Sequence, residues 1–225
     1  MREYLPVIKA CSLFHGVDDS DITAILSCLC AAQRAYCKGE YILRAGGRTD
    51  QISLLLSGNA HIIQEDFWGN RNLVSGIQPG QLFAEAFACT PGAVLTVSVT
   101  AEAACNVLFL DVRRVLAPCS HACTFHGQVM RNLFSELAVK NLRLNDKLTH
   151  MAQRSTRAKL LSYLSAEATR HASSSFDIPY NRQELADFLS VERSAMSAEL
   201  SRLKCEGVLS YHKNHFELAA FHGDQ

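Results

Sequence analysis

The stretch NRQELADFLSVERSAMSAELSRLKCEGVLS, residues 181–210, decides the fold. Asn181 stands where a helix would be capped, and Glu184 three residues later completes a capping-box pair, with Leu185, Phe188 and Leu189 spaced to point inward. A turn follows at Ser190-Val191-Glu192. A second helix then turns Met196, Leu200 and Leu203 toward a core and leaves Arg193, Ser194, Ser197 and Ser201 on the opposite face. A helix with small polar residues outside, reached from a first helix through a tight turn, suits a DNA major groove, where the N-terminal residues come nearest the bases.

Working outward, the flanks fit the same domain. STRAKLLSYLSAEATRH, residues 155–171, is a helix candidate ended by the polar run Ala172 to Ser175, and FDIPY reads as a strand. VLSYHKNHFELAA beyond it reads as two β-runs around a Lys213-Asn214 turn. Helix, strand, helix, helix and hairpin is the order of a winged helix. Arg193 is then placed to grip guanine bidentately or a phosphate, and Ser194, Ser197 and Ser201 to bond base edges or phosphates. Arg182, Gln183, Arg202 and Lys204 are candidates for phosphate contacts, with Lys213 at the wing tip. Each of these residues alone would also suit an ordinary solvated helix face; the ordered set carries the reading.

The rest of the chain is patterned differently. Residues 18–30 form a short amphipathic helix with Ile22, Ile25, Leu26 and Leu29 on one face. From Lys38 to about Arg113, β-rich runs such as EYILRAGG, QISLLLSGNAHIIQED and CNVLFLDV are broken by turns at Gly46-Gly47, Ser57-Gly58, Pro79-Gly80 and Pro91-Gly92, which predicts an antiparallel β-roll. Between about Ser120 and Ala152 there is no proline, and Val129, Leu133, Leu137, Leu144, Leu148 and Met151 fall largely on one stripe of a long helix. A second copy of the chain is the simplest cover for that stripe, so a homodimer is expected, unless the stripe packs only on its own roll.

Lys+Arg and Asp+Glu both number 22 in 225 residues, so net charge alone does not point to nucleic acid. The balance is uneven, however: residues 1–139 carry 10 basic against 12 acidic side chains, and residues 140–217 carry 12 against 9. No run approaches the ~18 apolar residues of a membrane span, and the start MREYLPVIKA lacks the apolar core of a secretory signal, so a cytoplasmic location with no membrane partner is expected. The cysteine count, nine, is odd and fits thiols better than a disulfide framework.

The whole chain resembles the cAMP receptor protein and fumarate-nitrate reductase regulator family. The likeness rests on KGEYILRAGG, LLLSGNAHII and IQPGQLFAEAF in the roll and on NRQELADFLSVERSAMSAELSRL in the C-terminal part. It implies an α+β chain in which residues 1–119 form a cyclic-nucleotide-binding-like β-roll, 120–152 a dimerisation helix and hinge, and 153–225 a winged helix-turn-helix. It further implies double-stranded DNA and a second copy as partners, RNA polymerase as a further one, and a small-molecule effector between roll and long helix. Glu85, Thr96 and Arg143 are the residues expected to touch that effector. Effector contacts would shift the spacing of the two winged domains through a hinge at His150 to Ser155.

Departures from the family pattern narrow this expectation. The Gly-Glu-Leu of cAMP-binding members becomes Ala84-Glu85-Ala86, and their Arg-Ser pair falls at about Leu95-Thr96. A cyclic phosphate there would lack its arginine, a cost of several kcal/mol, so cAMP is not the expected ligand. An arginine that members carry five positions beyond Arg193 is Ala198 here, which implies a different operator.

No cofactor is named by these residues. Iron-sulfur members use clustered cysteines, whereas here Cys11 stands alone and Cys28-x-Cys30, Cys37 and Cys105 depart from that spacing. Cys119-x-x-x-Cys123 with His121 and His126 suits a metal or redox pair as well as an ordinary helix start, and His61 keeps a haem ligand open. No enzyme is expected, because a cupin-like metal site wants a His-x-His pair and the roll has only His61. The same residues would also suit a constitutive regulator or a ligand-binding adaptor that uses its winged helix for protein contacts.

Overall fold

The computed structural model describes residues 2–66, 68, 71–116 and 125–219. Helices α1 (Leu5–Ala10) and α2 (Asp19–Cys28) precede strands β1 (Ala32–Tyr36), β2 (Tyr41–Leu43), β3 (Gln51–Ser57), β4 (Ala60–Glu65), β5 (Arg71–Ile77) and β6 (Leu82–Phe83). A single turn of helix, α3 (Glu85–Ala88), leads to β7 (Ser98–Ala101) and β8 (Cys105–Asp111), then to α4 (Val112–Leu116) and the long α5 (His126–Met151). After it come α6 (Thr156–His171), β9 (Ser175–Asp177), α7 (Arg182–Leu189), α8 (Arg193–Cys205), β10 (Leu209–His212) and β11 (His215–Leu218). The chain divides into two compact units, Met1–Val139 and Lys140–Gln225.

The first unit is the β-roll. One sheet runs β1-β8-β3-β6 and the other β2-β7-β4-β5, with antiparallel pairing throughout. The unbroken buried run of β3, Ile52 to Leu56, has a physical reason: Leu55 faces the interior between the sheets with Phe83, Val99, Val107 and Phe109, while Ile52, Leu54 and Leu56 face the helices. A strand covered on both sides reads as continuous hydrophobic sequence rather than alternation. The tight β3–β4 link depends on Gly58, whose φ is +76° and where a Cβ would lie 2.3 Å from the carbonyl oxygen of Ala104.

The long helix was expected from about Ser120, and its described part begins at His126; residues 117–124 lie outside the described ones. Its stripe divides in two. Val129 and Leu133, expected in a dimer interface, are 0% and 1% exposed in a core with Ile8, Phe14, Ile22, Ile25 and Leu29 of the same unit. They are therefore removed from the interface set: the N-terminal helices occupy the side they face. Leu137 is partly buried against the same core.

The second unit is a helical cluster closed by a three-stranded sheet, β10-β11-β9. Leu160 and Leu164 of α6, Leu185 and Leu189 of α7, Met196, Leu200 and Leu203 of α8, and Phe176 and Phe216 of the sheet make one core. The last turn of α5 belongs to this unit. His150 is buried with Nδ1 2.8 Å from Ser162 Oγ and its ring edge-on to Tyr163, and burial holds its imidazole below the ordinary value. Burial likewise pushes the Tyr163 hydroxyl up.

Candidate nucleic-acid interface and sensor site

Helix α7, the first of the helix-turn-helix pair, is fixed at both of its ends. Asn181 Oδ1 accepts from the backbone N–H groups of Gln183 (2.9 Å) and Glu184 (3.0 Å), and Glu184 Oε2 accepts from Asn181 N–H (2.7 Å), the reciprocal cap expected from the sequence. At the other end of α7, Ser190 takes a left-handed φ of 51°, and Lys159 Nζ donates to the carbonyls of Leu189 (3.2 Å) and Ser190 (3.4 Å). A cation at a helix C-terminus satisfies orphan carbonyls and opposes the dipole.

From that turn α8 buries Met196, Leu200 and Leu203 and exposes Arg193, Ser194, Ser197, Ala198 and Ser201. Among the described residues Arg193 has no ion-pair partner, so its guanidinium is available to an outside group. Ser201 Oγ donates to the Ser197 carbonyl of its own helix at 3.0 Å and keeps its acceptor lone pairs outward. The far end of α8 is braced by α6: Arg157 donates to Glu199 Oε1 (3.2 Å) and to both carboxylate oxygens of Glu206, and Arg202 reaches Glu199 Oε2 at 3.4 Å.

The basic residues proposed for phosphate divide by setting. Lys213 is exposed at the wing turn with a φ of +53°, and Lys204 lies with Nζ 5.3 Å from the centre of the Tyr211 ring. Gln183 is bonded to Asp187 at 2.9 Å. Arg182 is held differently from expectation: its guanidinium sits 4.7 Å from the Tyr211 ring centre and 5.0 Å from that of Phe216, and it donates to the Lys213 carbonyl at 2.9 Å. Burial pulls its pKa down from the ordinary arginine value. This residue positions the wing against α7.

In the roll, Ala84 adopts a left-handed φ of 63° and starts α3, placing Glu85 in the interior at 6% exposure. Leu95, where the cAMP-binding pattern carries arginine, is buried, and its N–H and C=O pair with the Gly47 carbonyl (2.9 Å) and the Gly46 N–H (2.8 Å). Thr96 beside it is exposed. Between Arg71 and Arg113 the sequence has no lysine or arginine at all.

Two family models match the chain: a cyclic nucleotide-binding domain over residues 33–121 and a Crp-like helix-turn-helix domain over residues 158–222. The chain belongs to the CRP/FNR family of transcription regulators. It is similar to the transcriptional activator protein FnrL of Cereibacter sphaeroides, with 26% identity over 187 residues, 79% of this chain and 72% of that protein. Among solved structures, CprK complexed with OCPA superposes with a TM-score of 0.61 at 13% identity, covering 87% of this chain and 88% of that one. The c-di-GMP-responsive global regulator CLP of Xanthomonas campestris superposes at 0.54 and 16% identity, with 90% and 100% covered. At these identities the structural likenesses show the fold.

This CRP/FNR regulator is a DNA-binding protein. None of its described helices is long and apolar enough to cross a membrane. Among the described residues the cysteines do not assemble as an iron-sulfur reading would need. Cys11 and Cys105 are buried, Cys30 and Cys37 are exposed, and among the described residues no three His, Cys, Asp or Glu side chains converge. Burial pushes the Cys105 thiol up, which favours its protonated form. Cys119, His121 and Cys123 lie outside the described residues. His61 Nε2 lies 3.0 Å from Glu102 Oε2. Sequence reasoning missed the bracing residues Arg157, Lys159 and Glu199, because a basic residue on one helix carries no local sign that it will cap another.

Proposed function

We propose that the chain acts as a homodimer whose paired α8 helices read successive major grooves, under the control of a small molecule or redox signal other than cAMP. The exposed set Arg193, Ser194, Ser197 and Ser201 on α8, a helix braced by Arg157 through Glu199, carries the DNA reading. Arg193 supplies a bidentate base contact, the serines follow it along the groove, and Arg202, Lys204 and Lys213 neutralise phosphates. Leu137, Leu144 and Leu148 supply the dimer contact.

Glu85, Thr96 and Arg143 are the proposed effector contacts. Glu85 is built into the interior by the Ala84 turn, whereas Thr96 and Arg143 are exposed. A buried carboxylate prefers a hydroxyl or amine donor over a phosphate, and Leu95 removes the cation a cyclic phosphate requires. Both observations favour an effector without a cyclic phosphate.

Fluorescence anisotropy with a labelled operator duplex tests both parts. Affinity should fall steeply between about 50 and 200 mM salt as released counterions are replaced, and millimolar cAMP should leave it unchanged. No affinity at low salt overturns the DNA reading, and tightening by cAMP overturns the effector reading.

A further inference from the structure

Cys28 is the last residue of α2 and His126 the first of α5, 98 positions apart in sequence, yet the Cys28 Sγ lies 4.0 Å from His126 Nδ1. The other ring nitrogen, Nε2, is 2.6 Å from the carbonyl oxygen of Arg114 in α4. A carbonyl only accepts, so Nε2 carries a proton and donates it there. In the neutral ring Nδ1 is then the lone pair, and the thiol is the donor that faces it. His126 is 7% exposed, which holds the ring in that orientation, while Cys28 is half-buried.

A nucleophile, a base within reach of it, and a third group that orients the base are the parts that turn a cysteine reactive. We infer that Cys28 and His126 form a reactive thiol–imidazole pair, a modification site for hydroperoxides at the first turn of the long helix. The thiol proton passes to His126 Nδ1, and the Cys28 sulfur attacks the nearer peroxide oxygen. The O–O bond breaks, and the leaving oxygen takes the proton back from the imidazolium. Cys28 is thereby oxidised by two electrons to a sulfenic acid, and the hydroperoxide is reduced by the same two to water or an alcohol.

The chain's other thiols provide the internal controls. Cys30 and Cys37 are more exposed than Cys28, and Cys11 and Cys105 are buried. On exposure alone Cys28 would react more slowly than the first pair. A free thiol is only a few per cent thiolate at neutral pH, so an imidazole that accepts the proton has room to raise reactivity about tenfold.

Iodoacetamide alkylation of the full-length reduced protein, read site by site by peptide mass spectrometry, tests the pair. Cys28 should be alkylated about tenfold faster than Cys30 and Cys37. His126→Gln should remove that advantage while Cys11 and Cys105 stay unmodified, which shows that the fold is intact. Hydrogen peroxide followed by a cyclic 1,3-dione should leave the dione adduct on Cys28. A Cys28 rate no faster than that of Cys30 in the wild type overturns the inference whether or not the variant folds, as does a rate untouched by His126→Gln or an absent adduct. Stoichiometric Zn²⁺ that blocks Cys28, with a tetrahedral spectrum on Co²⁺ substitution, would also overturn it by making the pair metal ligands.

Discussion

A chain carrying Leu144→Glu together with Leu148→Glu should run as a monomer in light scattering and bind operator DNA at least about 100-fold more weakly than the wild type. Leu144 and Leu148 are 62% and 61% exposed, so the new charges meet water in the single chain and its thermal midpoint should hardly change. The loss would fall on the proposed dimer. Phe134, Leu137, Asn141, Leu144, Leu148 and Met151 follow one another at alternating intervals of three and four, a heptad seam on α5. Asn141 is the polar member, with Oδ1 accepting from Asn145 Nδ2 at 2.9 Å. A single asparagine in such a seam specifies register at some cost in stability. Two recognition helices joined through the seam gain the second half-site at a high effective concentration, and a monomer forfeits that gain. A variant that stays dimeric would show that the seam is not the interface.

Arg193→Ala should weaken operator binding by about 1–3 kcal/mol, roughly 5- to 150-fold, and relax base preference at one position of each half-site. The residue is exposed at the first position of α8, a helix that follows the Lys159-held turn and is braced by Arg157 through Glu199. Truncation therefore removes a contact without loosening its platform. Lys213→Ala is the comparison: a wing-tip phosphate contact should weaken all sequences alike and lower the salt slope by about one. Equal, sequence-independent losses in both variants would assign Arg193 to the phosphate backbone instead of a base.

The parts legible in the sequence were those written in local signals. The Asn181–Glu184 cap, the inward Leu185, Leu189, Met196, Leu200 and Leu203, and the Lys213-Asn214 turn all lie within a few residues of the features they control. Glycine-marked turns exposed the roll in the same way. Periodicity showed that α5 has an apolar stripe and could not say what covers it. Val129 and Leu133 face the chain's own N-terminal helices, while Leu144 and Leu148 face outward. Arg182 looked like a phosphate ligand because nothing near it in sequence announces Tyr211 and Phe216. The Cys28–His126 pair was invisible for the same reason, since its members meet only once α2 and α5 have packed.

Selection of duplexes from a random pool by the wild-type protein at low salt shows whether paired α8 helices read DNA. An inverted repeat whose half-site centres lie one helical turn, about 10–10.5 base pairs, apart should be enriched, with two chains bound per duplex. A pool that shows no enrichment, or a single unrepeated half-site bound by one chain, would contradict it.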